Sequence, residues 1–367
     1  MYLTIYRTPA MQQITFDWLL ENPFATKLYD IEDTKKITVP IEEEYGEKLF
    51  NKKNLPTILN NINSNYNLPY DTVSSCYRTC KIPKKSNPKK LRTLDIPNDQ
   101  LKMIQSYYKD FIENILQVQP HDAAYAYVKK RGIVQANEKH QKNESKWFLQ
   151  IDLKDFFPSI NEEFLRKMLL QVYPFKFIPK EHFENIINYA LLNNSIPQGS
   201  PLSPTITNIL MVPIDHMIKE TLQNYNKKHF VYTRYADDIK ISCKYDFDPK
   251  EIVQVILDIF KLFNAPLMIN HEKTRYGSIA GKNYYLGVIL NKDNKISPGW
   301  RNNKKFRAML FDFIHNGDSW SRTDVQRMLG IISYYRSIEP MYVAETLRKY
   351  NQKFKVDILT KAKNRLR

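Results

Sequence analysis

The sequence predicts an α+β protein: a small antiparallel sheet carrying acidic turns, backed by helices, with a helical and basic C-terminal end. Three observations predict it. Two β-rich runs at 231–235 and 239–243 flank the acidic pair Asp237-Asp238. A short apolar run at 147–153 has the carboxylate Asp152 near its end. From residue 295 onward, 16 Lys and Arg stand against 6 Asp and Glu in segments with helical apolar spacing, which gathers most of the net charge of +16 into one end.

The elements follow in order. Residues 1–70 read as a mixed, helical extension with an Asn-rich stretch near 60–67. Residues 77–100 hold two extended runs around Pro83-Lys84-Lys85-Ser86-Asn87-Pro88, a basic turn whose Pro and Asn content marks a hairpin. Residues 102–116 carry apolar residues at helical spacing. After the 147–153 strand, Ser159-Ile160-Asn161-Glu162 has the form of a capping box and predicts a helix start at Ser159. Ser203-Pro204 predicts another, with Ser as N-cap and Pro at the first helical position. Pro213 should kink or end that helix. Asp248 should cap a helix running to about Phe263, with Ile252, Val255, Ile256, Ile259 and Phe263 on one face. Residues 284–290 read as a pair of strands around Gly287.

Composition bounds the function. At 367 residues and 43% hydrophobic, the chain is long enough for two or three packed subdomains. No apolar run is long enough to span a bilayer, and the N-terminus lacks the layout of a signal peptide, so a soluble, cytoplasmic protein is expected. Cys76, Cys80 and Cys243 are not spaced as a zinc clip and read as reduced thiols, and the seven His form no HExxH pair. The charge and a pI near 9.4 imply a polyanionic partner. Composition by itself does not separate DNA, RNA and an anionic membrane, and a basic surface kept for solubility is the bland alternative.

The chemistry lies in three segments. In Tyr235-Ala236-Asp237-Asp238, two adjacent carboxylates repel each other in a tight turn, a cost that a bound cation removes. Alone, the pair reads as readily as a solvated turn. Asp152, at the end of its strand with Asp155 three residues on, adds a third carboxylate. Hard divalent cations take such oxygen ligands and keep positions open for water and phosphate. Two of them about 4 Å apart serve in-line phosphoryl transfer. The third segment, Ile196-Pro-Gln-Gly-Ser-Pro-Leu-Ser-Pro, offers the Gln198 amide, a Gly199 backbone that a ligand can approach closely, and a helix N-terminus aimed at the same region.

IDLKDFFPSI, IPQGSPLSP and YADD, in this order, resemble the palm motifs of reverse transcriptases. Tyr77-Arg-Thr-Cys-Lys-Ile-Pro-Lys-Lys with Arg92-Thr-Leu-Asp-Ile-Pro resembles the family's finger hairpin. Glu272-Lys273-Thr274 and Tyr285-Leu286-Gly287-Val288 resemble later palm motifs, and Leu329-Gly-Ile-Ile-Ser-Tyr-Tyr resembles the thumb. The resemblance covers about residues 77–340 and implies a right-hand polymerase fold: fingers at 71–146, a palm at 147–294 with a finger segment inserted around 165–197, and a thumb at 295–367. It implies DNA synthesis on an RNA template with two Mg²⁺ ions. Asp152, Asp237 and Asp238 would be the metal ligands, with the Leu153 carbonyl. Phe157 would be the ring that excludes a ribose 2′-OH. Lys84, Lys85, Arg92, Gln198 and Gly199 would bind the incoming dNTP. Lys273 would be a general acid for pyrophosphate or, equally, a surface lysine. Tyr285, Leu286 and Gly287 are primer-grip candidates.

Bacterial retron enzymes resemble the chain best, since it is short and shows no ribonuclease H or H-N-H nuclease segment. That resemblance implies a cognate noncoding RNA as template, a covalently linked RNA–DNA product, a separate effector protein and a role in antiphage defence, with no membrane partner. Two departures stand out: Ala136-Asn137-Glu138-Lys139-His140 has its first two residues exchanged relative to the retron segment, and Tyr285-Leu286-Gly287 stands where retrons tend to carry Val-Thr-Gly. A maturase-related, diversity-generating or abortive-infection enzyme, and a non-catalytic RNA-binding scaffold, remain as alternatives. In the basic end, Arg301, Lys304, Lys305 and Arg307 are candidates to grip a duplex backbone without reading its sequence.

Overall fold

The computed structural model describes residues 2–3, 14–15, 73–84, 87–227, 229–281 and 283–366. Strands β1 (Tyr2–Leu3) and β2 (Ile14–Thr15) pair antiparallel. The rest of the expected helical extension, 1–70, lies outside the described residues. The hairpin expected at 77–100 is present as β3 (Tyr77–Lys84) and β4 (Asn87–Pro97). The Asn98 side chain caps α1 (Asp99–Asp110), accepting from the Leu101 N–H at 2.9 Å, and α1 runs into a π-turn at Phe111–Ile115. Helix α2 (Ile133–Lys142) precedes β5 (Trp147–Lys154).

The expected start at Ser159 is corrected. Ser159 closes a short helix α3 (Phe156–Ser159), its hydroxyl donating to the Phe156 carbonyl at 2.9 Å. The next helix, α4 (Glu162–Leu169), is capped by Asn161, which accepts from the Phe164 N–H. Asn caps as well as Ser, and here it sits two residues further on, immediately before the helix. After α5 (Lys180–Ala190) comes α6 (Ser203–Leu210), where the Ser203 cap is also corrected: Ser203 lies inside the helix and its hydroxyl donates to the Pro197 carbonyl at 2.8 Å. Pro213 acts as expected, since α6 ends and α7 (Val212–Asn224) begins around it.

Strands β6 (Val231–Tyr235) and β7 (Asp238–Cys243) form the acidic hairpin. Asp248 caps α8 (Pro249–Leu262), which buries Ile252, Ile256 and Ile259. Short strands β8 (Met268–Ile269) and β9 (Arg275–Ser278) both pair with β5, so the sheet runs β6-β7-β5-β8 with β9 also on β5. The strand pair expected at 284–290 is smaller than read: one bridge, Tyr285 with Val288, closes a turn, and β10 (Ile289–Leu290) pairs instead with β11 (Ile296–Ser297). Leu286 and Gly287 take φ of 54° and 89°, which fold the chain back too soon for a longer ladder.

The sheet has two unlike faces because side chains alternate along a strand. Leu149, Ile151, Leu153, Ile239 and Ile241 enter the main core with α4, α6, α7 and α8. On the other face, α2 covers the sheet away from the acidic turn through polar contacts. Asn137 accepts from Lys240 at 2.9 Å, and His140 bonds to Ser242 and Thr233 at 2.6 and 2.8 Å. Lys240 lies between the Phe148 and Tyr285 rings, and burial pushes its ammonium down to about 7. Four helices, α9 (Trp300–Asn316), α10 (Arg322–Ile338), α11 (Pro340–Phe354) and α12 (Ile358–Leu366), pack around a second core of Phe306, Leu310, Phe313, Val325, Met328 and Val343. The α+β expectation with a small antiparallel sheet and a helical basic end is met. Among the described residues no helix is long and apolar enough to cross a membrane.

Candidate active site

The three predicted carboxylates come together at one end of the sheet. Asp152 on β5 and Asp238 on β7 are cross-strand partners. Asp237 sits in the two-residue turn before β7, where Ala236 takes φ 57°. The Leu153 N–H donates to the Asp237 carbonyl at 2.9 Å, so the tip of the hairpin is stitched to the strand that carries Asp152. Asn270 adds two bonds to Asp152: its N–H to the backbone carbonyl at 2.8 Å and its amide to Oδ1 at 3.1 Å.

Lys273 is the cation in this cluster. Its Nζ donates to both Asp152 oxygens, at 2.9 and 2.8 Å, and that bond raises its pKa. Desolvation, then the charges of Asp237 and Asp152, push the Asp238 carboxyl up to about 7 against the pull of Lys273. Among the described residues no three carboxylate, imidazole or thiolate side chains converge as a preformed cage, and Asp152 is held by Lys273. The donor set nevertheless fits hard divalent cations: all three side chains are carboxylates, and their mutual repulsion is relieved by added positive charge.

Sequence reasoning missed the buried pair that braces the turn. Arg234, on β6, is fully buried. It bonds Asp215 of α7 through Nε at 2.8 Å and Nη2 at 2.7 Å. Its Nη1 donates to the Ala236 carbonyl and to Asn208 Oδ1, both at 3.2 Å. Tyr232 donates to Asp215 at 2.6 Å. A guanidinium thus holds the carbonyl that immediately precedes Asp237. Arg234 is visible beside Tyr235 in the sequence, but Asp215 is 19 residues away on a helix, and no local pattern pairs them.

The remaining candidates fall as follows. Phe157 is half-buried on α3, edge-on to Phe156 at 5.5 Å between ring centres. The Gln198 carbonyl accepts the Asp95 N–H at 2.7 Å, which ties its loop to the β3–β4 hairpin. A Cβ on Gly199 would lie 2.6 Å from the Asp95 carbonyl oxygen, and φ there is 130°. In the structure the hairpin backbone itself approaches Gly199 closely. Arg92 is exposed on β4. Lys85 and the Lys84 side chain lie outside the described residues. Tyr285 is buried and its hydroxyl donates to the Asp238 carbonyl at 3.1 Å, while Leu286 and Gly287 form the adjoining turn. Arg301, Lys304 and Lys305 are exposed along α9. Arg307 is half-buried and donates to the Tyr342 hydroxyl at 2.8 Å, which engages it within the helical unit.

The sequence pattern of the family described as reverse transcriptase (RNA-dependent DNA polymerase) matches residues 82–290. Among relatives, the Retron Ec83 reverse transcriptase of Escherichia coli is 29% identical over 292 residues, covering 75% of this chain and 87% of its own. The Retron Ec73 reverse transcriptase of the same organism is 29% identical over 272 residues, covering 72% and 84%. A telomerase structure from Candida albicans, in complex with an RNA fragment, superposes with a TM-score of 0.48 at 14% identity, over 84% of this chain and 59% of that one.

Proposed function

The chain belongs to the reverse transcriptase (RNA-dependent DNA polymerase) family, and on that premise we propose that it works as a retron enzyme, copying its own structured noncoding RNA into a covalently linked RNA–DNA product. The observation that carries the polymerase assignment to particular residues is the register that sets Asp152 opposite Asp238, with Asp237 stitched beside them. In this reading Asp152, Asp237 and Asp238, with the Leu153 carbonyl, hold two Mg²⁺ ions. When bound, such ions stabilise the attacking and leaving oxygens of phosphoryl transfer. Lys273, bonded to both Asp152 oxygens, would meet developing negative charge on pyrophosphate. Arg92, Lys84, Lys85 and Gln198 bind the incoming dNTP, and Phe157 lies under its sugar. Residues 71–146 act as fingers, 147–294 as palm with the finger insertion around 165–197, and 295–367 as thumb. The product serves antiphage defence together with a separate effector protein. Support for the retron reading comes from the relatives, which carry that name, and from the basic end, since a protein that keeps its product bound needs many phosphate contacts.

The test is expression of the chain with its genomic neighbourhood, followed by purification of the complex. Its nucleic acid should hold an RNA part and a DNA part in one covalent species: ribonuclease should leave a discrete DNA and deoxyribonuclease a discrete RNA. Asp237→Asn should carry the RNA alone and lose at least about a hundredfold in Mg²⁺-dependent dNTP incorporation, because a metal ligand contributes several kcal/mol to the transition state. Incorporation within tenfold of the parent would refute the metal-site assignment. Heterogeneous DNA templated by unrelated RNA would refute the retron reading while leaving the polymerase intact.

A further inference from the structure

Tyr127 is an aromatic residue in a costly position. Its backbone has φ 59°, the left-handed region that residues with a Cβ avoid, and its ring is 62% exposed. Left-handed backbone on a bulky residue costs about 1 kcal/mol or more. An exposed ring returns nothing to the core for that cost. Such strain persists only where the surroundings impose it, and it clusters at functional sites.

The surroundings do impose it. Just before Tyr127, Ala124 bridges to Arg234, and the Tyr125 N–H donates to the Arg234 carbonyl at 2.8 Å. The Asn208 amide donates to the Ala126 carbonyl at 2.8 Å. Just after it, Arg131 closes the loop by donating to the His121 and Ala124 carbonyls at 2.6 and 2.9 Å. Tyr127 is therefore held at the tip of a braced loop, anchored to the strand that leads into the acidic turn. The ring feels both the acidic turn and the β3–β4 hairpin. Partial desolvation, then the negative charges of Asp237 and Tyr235, raise its phenol pKa, and Arg92 on the fingers hairpin opposes them. It stands within electrostatic reach of the carboxylate that would hold metal and of the arginine that would hold triphosphate. The next residues supply charge: Lys129 and Lys130 are exposed, and Lys130 is also left-handed at φ 64°.

An exposed, rigidly presented ring followed by two exposed lysines is the pattern of a single-strand binding platform, on which a base stacks while cations track the backbone. An incoming nucleotide brings its phosphates to Arg92 and the acidic cluster and has no continuing backbone for Lys129 and Lys130 to meet. A template strand has one. We propose that Tyr127 is a stacking platform for an unpaired base of the template strand, and that Lys129 and Lys130 bind the template phosphates that follow. This rests on the acidic cluster being the polymerase site, and it adds a template contact to the positions carried by the three motifs.

The test uses the full chain and two synthetic substrates: a primer–template with a single-stranded 5′ template overhang carrying 2-aminopurine at the first unpaired position, and the same duplex with blunt ends. Tyr127→Ala should weaken binding of the overhang substrate about 5- to 150-fold, the range that one stacked base supplies. It should leave blunt-duplex binding within about twofold and relieve the fluorescence quenching of the 2-aminopurine. Tyr127→Phe, which keeps the ring, should retain both binding and quenching. Lys129→Ala with Lys130→Ala should lower the salt slope of overhang binding by roughly 0.7 per lost contact. Equal weakening of both substrates by Tyr127→Ala would overturn the proposal, as would a rise in dNTP KM with unchanged overhang binding, which would assign the ring to the incoming nucleotide. Measurable primer extension by the parent keeps the polymerase reading intact in each of these cases.

Discussion

Arg234 does two things that substitution can separate. Its guanidinium and the Asp215 carboxylate are both fully buried and meet through two short bonds, and one further arm holds the Ala236 carbonyl of the acidic turn. Arg234→Met leaves the Asp215 carboxylate buried without its guanidinium, a change that costs about 3–5 kcal/mol, set against a total stability of about 5–15 kcal/mol for a typical domain. Adding Asp215→Leu removes the stranded charge. Replacing a buried ion pair by apolar residues of similar volume is commonly neutral or stabilising, and the Tyr232 hydroxyl is left to lose about 1–3 kcal/mol. The double variant should therefore recover much of what the single variant loses. It does not recover the donor to Ala236, so the turn that presents Asp237 stays unbraced. A lost hydrogen bond of about 1–1.5 kcal/mol, felt in the transition state, lowers kcat about tenfold. Urea denaturation read beside steady-state dNTP incorporation gives both quantities. Destabilisation should be largely reversed in the double variant, kcat should remain about tenfold low, and KM for dNTP should change less than kcat. A double variant with parental kcat would refute the bracing role and leave the pair a purely structural one.

Other expectations follow from the same geometry. Phe157→Val should open the space beneath the sugar and raise the ratio of ribonucleotide to deoxyribonucleotide specificity constants; an unmoved ratio makes Phe157 a packing residue against Phe156. Changing the exposed Arg301, Lys304 and Lys305 to Glu should flatten the salt dependence of template–primer binding by about 0.9 per lost phosphate contact, whereas Arg307, engaged by Tyr342, should contribute less to that slope. Acid should destabilise the fold early. Burial holds His140 well below its ordinary value of 6.5 and His216 down to about 3, so the unfolded chain binds more protons below pH 6.5. Their contribution is complete above 6.5 and is lost as pH falls toward the folded values. For His216 this amounts to roughly 2 kcal/mol between pH 7 and 5, with His140 acting in the same direction; the loss is measurable as a falling urea midpoint that His216→Gln should make shallower.

The parts of the fold and site legible in the sequence were those written in short, local strings. The acidic hairpin needs only β-rich flanks and a turn, and the Asp152 strand only an apolar run, so all three strands and the carboxylates they carry were readable. Helix starts were less so: Asn161 and Ser159 both have capping chemistry, and the choice between them depends on which one faces the first free N–H, a matter of backbone direction. The bracing of the site was not legible. Asn270 and Asp215 act through partners 118 and 19 residues away, and a polar residue reads alike whether it faces water or a buried guanidinium. The approach of Asp95 to Gly199 was not legible either, because the docking of the β3–β4 hairpin on the loop at Gln198 and Gly199 is a tertiary contact.

The same alternation that divides the sheet into two faces also protects its chemistry. Leu149, Ile151 and Leu153 enter the core from β5, each at most 1% exposed, while Asp152 emerges between the last two. Slipping β5 by one residue against β7 would turn all three aliphatic side chains out of the core and turn Asp152 into it. Each buried aliphatic side chain is stabilised by about 1.5–3 kcal/mol, so the slip forfeits on the order of 5–9 kcal/mol before the cost of a carboxylate among Ile239, Ile241 and Ile269 is counted. Burial first, then the charges of Asp237 and Asp152, raise the Asp238 carboxyl, so the pairing of Asp152 with Asp238 carries an electrostatic cost. Apolar burial on the opposite face holds the register against that cost. The chain can therefore hold three carboxylates at one end of a folded sheet, with Lys273 as the cation in the cluster.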